Sequence, residues 1–224
     1  MNFTDKLHHL AQPLWSKSFT HPFIQELTAG NLPITKFKFY LKQDNYYLTE
    51  FATLHQLIAA KLSNMADKKI LLAGATFDNN DELLVRNAMF AKLGITDSDL
   101  ANTKPTPAAY NYITHMYYEL NTGSPARATA ALLPCYWLYS EIGARLEEKS
   151  SPVPIYQQFI DGYAGDEFTN STRAMINLVE KMSSVVDATE RNQMINAFLK
   201  SSAFELQFWE MAYQQKQWSF ESRI

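Results

Sequence analysis

Cysteine is almost missing from this chain: Cys135 is the only one in 224 residues. That excludes an intramolecular disulfide framework and any cysteine-only metal cluster, and it suits a reducing compartment. Glycine and proline are also sparse, at seven and nine, too few for a turn-dense β sandwich or barrel. No basic run occurs, and 20 Lys+Arg against 23 Asp+Glu leave a formal net charge of −3. A general nucleic-acid or anionic-membrane surface is therefore not signalled. No segment approaches the roughly twenty apolar residues of a membrane helix. Residues 1–9 carry charges and histidines where a signal peptide needs an apolar stretch, so a cytoplasmic location is expected. Neither Gly-x-Gly-x-x-Gly nor a Walker motif is present. His8, His9, His21, His55 and His115 show no metal-ligand spacing, with neither Glu-x-x-His nor His-Glu-x-x-His. Neither a cofactor nor a metal is expected.

What the chain has in quantity is apolar side chain, 46% against 19% charged, enough to bury a core. Its length favours one domain over residues 1–224. Apolar residues recur every three or four positions and period-two alternation is hard to find, which predicts an all-α fold. A helix is expected from about Thr4 to Ser18, and another between Thr20-His21-Pro22 and Ala29-Gly30, with proline early and glycine late. After Pro33 a stretch without Gly or Pro predicts one long helix to about Ser63. A helical stretch from Asp67 to Leu93, with a break near Gly74, stops at Gly94. The prolines of Asn102–Pro107 predict a loop. Helices are expected from Ala108 to Leu120 and from Pro125 to about Lys149. Two more follow Ser150–Pro154, and a last long one runs from Ala188 to Trp218. The sum is a bundle of roughly eight to ten helices.

Three places could carry chemistry. Asp44 and Tyr47 are three apart, with Phe51 continuing their stripe. A carboxylate beside aromatic rings suits a flat, nitrogen-rich heterocycle, since rings stack and the carboxylate accepts N–H bonds. Cys135 and Tyr139 are four apart in an apolar helix, where a thiol is a nucleophile if a base activates it. Glu205 lies in an apolar, aromatic segment, where burial would raise its pKa toward a general acid or base. Tyr112 and Tyr163 are aromatic residues that periodicity alone does not separate from core. Taken singly, each of these is more often an ordinary core or surface position.

Taken together, they resemble the TenA family, the thiaminase II or aminopyrimidine aminohydrolase group. The resemblance runs through Pro13-Leu14-Trp15, His21-Pro22-Phe23, Lys42-Gln43-Asp44-Asn45-Tyr46-Tyr47-Leu48 and Ala91-Lys92-Leu93-Gly94-Ile95. It continues through Leu133-Pro134-Cys135-Tyr136-Trp137-Leu138-Tyr139, residues 156–164 and Glu205-Leu206-Gln207-Phe208-Trp209. It implies the helical fold shared with haem oxygenases, commonly as a homotetramer. It further implies Cys135 as nucleophile, Glu205 as general acid and base, and Asp44 as the group that holds the ring and stabilises its protonation. Tyr47 and Tyr163 would flank the ring, Tyr112 and Tyr139 would position it, and Phe208 would form a wall. The implied substrate is thiamin or its breakdown product aminomethyl-aminopyrimidine, and the implied product is hydroxymethyl pyrimidine for thiamin salvage. Arg86 departs from the family pattern, in which a histidine often follows the acidic residue of that helix, here Glu82. The departure is expected to bear on subunit contacts or helix packing and not on the chemistry. A haem-binding protein on the same fold, with His8, His9 or His21 as axial ligand, and a pyrimidine-binding or regulatory protein are the alternatives.

Overall fold

A computed structural model describes residues 2–75, 80–146 and 150–220, with the backbone alone for residues 80–85. Among the described residues there are eleven α-helices and no strand. These are α1 (Phe3–Phe19), α2 (Pro22–Ala29), α3 (Ile34–Lys61), α4 (Met65–Ala75), α5 (Asn80–Leu93) and α6 (Asp97–Ala101). They continue with α7 (Pro107–Thr122), α8 (Pro125–Leu146), α9 (Pro154–Ala164), α10 (Asp166–Ser184) and α11 (Ala188–Gln214).

Local chemistry sets the helix ends. His21 caps α2, its Nδ1 accepting the Phe23 N–H at 3.1 Å, and Pro22 opens the helix. Gly30 closes it in the left-handed region, at φ 77°. Asp187 caps α11 through the Glu190 N–H at 2.8 Å. Helix α6 takes the count beyond the eight to ten expected, and a reciprocal pair explains it. Thr96 Oγ1 accepts the Asp99 N–H while the Asp99 carboxylate accepts the Thr96 N–H, a capping box strong enough to start a short helix.

The expected break near Gly74 corresponds to the end of α4 at Ala75: Gly74 itself lies in the last turn, with the Tyr136 hydroxyl and the His55 ring packed where a β-carbon would sit, and α5 begins at Asn80. One expectation needs correction. The last helix stops at Gln214, with Gln215 left-handed at φ 50°. Beyond it the chain turns back, and Trp218 Nε1 donates to the Pro105 carbonyl at 2.9 Å. Lys149, the expected end of α8, and Glu82 as a side chain lie outside the described residues.

Helix α8 is the centre of the packing, touching α3, α7, α9, α10 and α11. Fourteen of its residues are buried, from Ala126 to Leu146 and around its whole circumference, as expected for a helix apolar on every side. By contrast α10 buries one stripe, Phe168, Thr172, Met175, Leu178, Val179 and Met182, at helical spacing. An aromatic stack ties α2, α3 and α11 together. Tyr40 lies parallel to Trp209 at 5.2 Å, and Phe23 packs on both.

Candidate active site

Helices α3, α5, α7, α8, α9, α10 and α11 contribute side chains to one pocket with about 520 Å³ of empty space, its mouth included. Each of the eight residues singled out in the sequence lines it: Asp44, Tyr47, Tyr112, Cys135, Tyr139, Tyr163, Glu205 and Phe208. Their spacing explains the convergence. Asp44, Tyr47 and Phe51 share one face of α3, while Cys135 and Tyr139 sit one turn apart on α8. Glu205 and Phe208 do the same on α11.

Rings dominate the walls. Tyr47 packs on Phe51 at 5.3 Å and on Tyr112 at 5.0 Å, and Tyr163 packs on Tyr139 at 4.8 Å and on Phe168 at 5.2 Å. Both groups of rings line the pocket, and such faces suit a flat heterocycle. The Tyr47 hydroxyl is buried beside Tyr112 and Cys135 without meeting hydrogen-bond geometry with any described group.

The electrostatics are set by two carboxylates, a thiol and a guanidinium. Glu205 is 2% exposed and accepts the Tyr112 hydroxyl at 2.7 Å. Burial pushes its pKa up to about 8, Tyr112 opposes the rise, and the charge of Asp44 adds to it. Asp44 is pushed up to about 6 by burial, against the opposing pull of Arg86 and of Tyr40. Burial, and then the Glu205 charge, hold the Cys135 thiol well above its ordinary value. Cys135 is therefore protonated in the free site and needs a base, and Glu205 has a pKa matched to that task near neutral pH.

Reasoning from sequence missed Arg86, Tyr136, Phe168 and Leu48, all of which line the pocket. Arg86 corrects an explicit expectation. Its Nη2 donates to Asp44 Oδ2 at 3.3 Å, so the departure from the family pattern falls in the site and is not confined to subunit contacts or helix packing. The signal was available only in the deviation itself, because nothing in the sequence spacing joins α5 to α3. Tyr136 is held from behind. His55 Nδ1 donates to the Phe51 carbonyl at 2.8 Å, leaving Nε2 to accept the Tyr136 hydroxyl at 2.7 Å. Burial lowers the His55 pKa to about 4, which keeps the ring neutral.

The histidines named as haem ligands do not line the pocket. His8 stacks on Trp137 and bonds Glu141, His21 caps α2 and bonds Glu210, and His9 is exposed. No cluster of three His, Cys, Asp or Glu side chains able to hold a metal occurs among the described residues.

Comparison with known proteins identifies the family and the fold. The model of the TENA/THI-4/PQQC family matches residues 8–215. The aminopyrimidine aminohydrolase of Bacillus subtilis is 36% identical over 219 residues, 98% of this chain and 93% of that protein. A TenA homologue from P. horikoshii OT3 superposes with a TM-score of 0.87 at 29% identity, covering 96% of this chain and 100% of the other. A Shewanella denitrificans OS217 domain of unknown function with a haem oxygenase-like fold has a TM-score of 0.71 at 16% identity, covering 94% and 92%. That last likeness is one of fold alone.

Proposed function

This chain belongs to the TENA/THI-4/PQQC family, and from that premise we propose that it is an aminopyrimidine aminohydrolase of the thiaminase II type. It is a hydrolase of C–N bonds that takes a small-molecule substrate. The bond in question joins the ring's methylene arm to its nitrogen substituent, and water replaces that substituent. The observation that carries the assignment of residues is the convergence of Cys135, Glu205 and Asp44, from three helices, on one ring-lined pocket.

The chemistry follows from their charge states. The ring, protonated on nitrogen, sits between Tyr47 and Tyr163 with Asp44 accepting its N–H bonds. Glu205, entering as carboxylate, takes the thiol proton of Cys135, and the sulfur adds to the ring carbon next to the one bearing the arm. The electrons of that adduct expel the nitrogen substituent, which leaves as ammonia with the proton Glu205 returns. Glu205 then removes a proton from water as its oxygen bonds to the exposed methylene. Breaking the C–S bond restores the aromatic ring, and the proton held by Glu205 goes back to sulfur. The net change is aminomethyl pyrimidine plus water to hydroxymethyl pyrimidine plus ammonia. In this reading Tyr112 and Tyr139 orient the acid and the ring, and Phe208 closes one wall.

The pocket does not favour the haem reading, since its walls supply carboxylates and a thiol while the candidate axial histidines lie elsewhere. A homotetrameric assembly and a cytoplasmic location belong to the same proposal. In support of the second, no helix among the described residues is long and apolar enough to cross a membrane. Incubation with aminomethyl-aminopyrimidine and with thiamin, read by mass spectrometry, tests the function. Hydroxymethyl pyrimidine is expected from at least one, and a folded protein that forms none from either would overturn the reading.

A further inference from the structure

Arg86 stands in the middle of α5, which otherwise supplies no lining residue to the active-site pocket among those described. Its side chain is 18% exposed and that of Asp44 is 8% exposed, and the two form a single-donor ion pair at 3.3 Å. The same two residues, with Tyr163, also line an adjoining outer cleft alongside Met89, Gln158 and Phe159. Arg86 thus sits where the pocket and this second cleft meet.

Asp44 otherwise faces groups that do not favour its negative charge. Cys135 and Tyr139 face it from α8, Tyr163 from α9, Glu205 from α11, and Tyr40 from its own helix. Of these only Tyr40, as a hydrogen-bond donor, offsets the burial. Among the described lining residues Arg86 is the one cation. A buried carboxylate next to a second carboxylate tends to keep its proton, and a cation within about 4 Å reverses that tendency by one to three pH units. A protonated Asp44 would lose the charge-assisted bond to a protonated ring nitrogen and keep only a weaker neutral acceptor.

We propose that Arg86 is a positioning residue for ring binding: its guanidinium, reaching from α5, keeps Asp44 charged and aimed into the pocket. The inference rests on the reading of Asp44 as the ring-binding group. Arg86 itself touches neither the reacting carbon nor the sulfur in this account. A lysine at position 86 supplies the same charge and should do most of the same work, whereas glutamine supplies hydrogen-bond donors without charge.

The test is the pH dependence of hydroxymethyl pyrimidine binding, followed by titration calorimetry from pH 5 to 8, with turnover of aminomethyl-aminopyrimidine measured in parallel. In Arg86→Gln the acidic limb of binding is expected to move up by about one pH unit, with affinity at pH 6 falling about fivefold. Arg86→Lys is expected to return the limb close to the wild-type position. Arg86→Met, which keeps the aliphatic stem, serves if the glutamine variant does not fold. A limb that stays in place in the uncharged variants overturns the inference, whatever the turnover. A wild-type protein that binds the pyrimidine but forms no product, with the limb still moving in Arg86→Gln, overturns the hydrolytic reading and leaves the role of Arg86 standing. Failure of the wild type to bind the pyrimidine overturns both.

Discussion

The main chain of Tyr163 rests directly on Gly143, so that a β-carbon at position 143 would overlap the Tyr163 carbonyl. This close approach of α8 and α9 puts the Tyr163 ring beside Tyr139 and Phe168 at the pocket wall. Gly143→Ala is expected to push α9 outward, at a cost of about 1–3 kcal/mol in stability. The displaced ring should raise KM several-fold while leaving the thiol and Glu205 in place. Urea unfolding and steady-state kinetics of the variant check the two effects separately.

Glu205 links catalysis to stability with a definite sign. Its folded-state pKa of about 8 lies above the ordinary 4.5, so the folded protein holds a proton that the unfolded chain releases. The stability this represents is complete below pH 4.5 and is lost as the pH rises to about 8. Glu205→Gln, which stays neutral, should therefore match the wild type near pH 5 and exceed it by a few kcal/mol above pH 8. It should also lose turnover. Denaturation midpoints of the two proteins across pH 5–9 decide the matter, and a constant gap would count against burial as the cause.

His55 acts in the opposite sense. Its folded-state pKa of about 4 lies below the ordinary 6.5, so the unfolded chain takes up the proton first. Stability is expected to fall as the pH drops from 6.5 toward 4. Tyr136→Phe removes the donor to His55 Nε2 and should cost about 1–3 kcal/mol at neutral pH. Thermal melts of wild type and Tyr136→Phe between pH 4 and 8 read both.

Much of this was legible in the sequence, and for identifiable reasons. Helical spacing places Asp44 with Tyr47 and Cys135 with Tyr139, because residues three or four apart share a face. Pro22, Gly30 and Gly94 mark helix ends, since proline lacks an N–H and glycine tolerates positive φ. Arg86, Tyr136 and Phe168 were not legible as site residues, because only packing between distant helices brings them to the pocket. Gly74 marks the neighbourhood of a helix end, since α4 stops at Ala75, but its close packing against His55 and Tyr136 is shown by no local pattern.

Asp44→Ala should weaken binding as well as catalysis, since the carboxylate is assigned to the ground state and to the reaction. Calorimetry with hydroxymethyl pyrimidine is expected to show a loss of at least about tenfold, in line with removal of a charge-assisted hydrogen bond. Unchanged affinity would remove Asp44 from the ring-binding role.

The nucleophilic role of Cys135 is tested by comparing wild type with Cys135→Ser on aminomethyl-aminopyrimidine, with pyrimidine affinity measured on the same preparations. The variant is expected to fold and to bind the pyrimidine as the wild type does, and to lose nearly all formation of hydroxymethyl pyrimidine. A serine variant that turns over at the wild-type rate would contradict the account, because no nucleophilic role would then remain for the chain's one thiol.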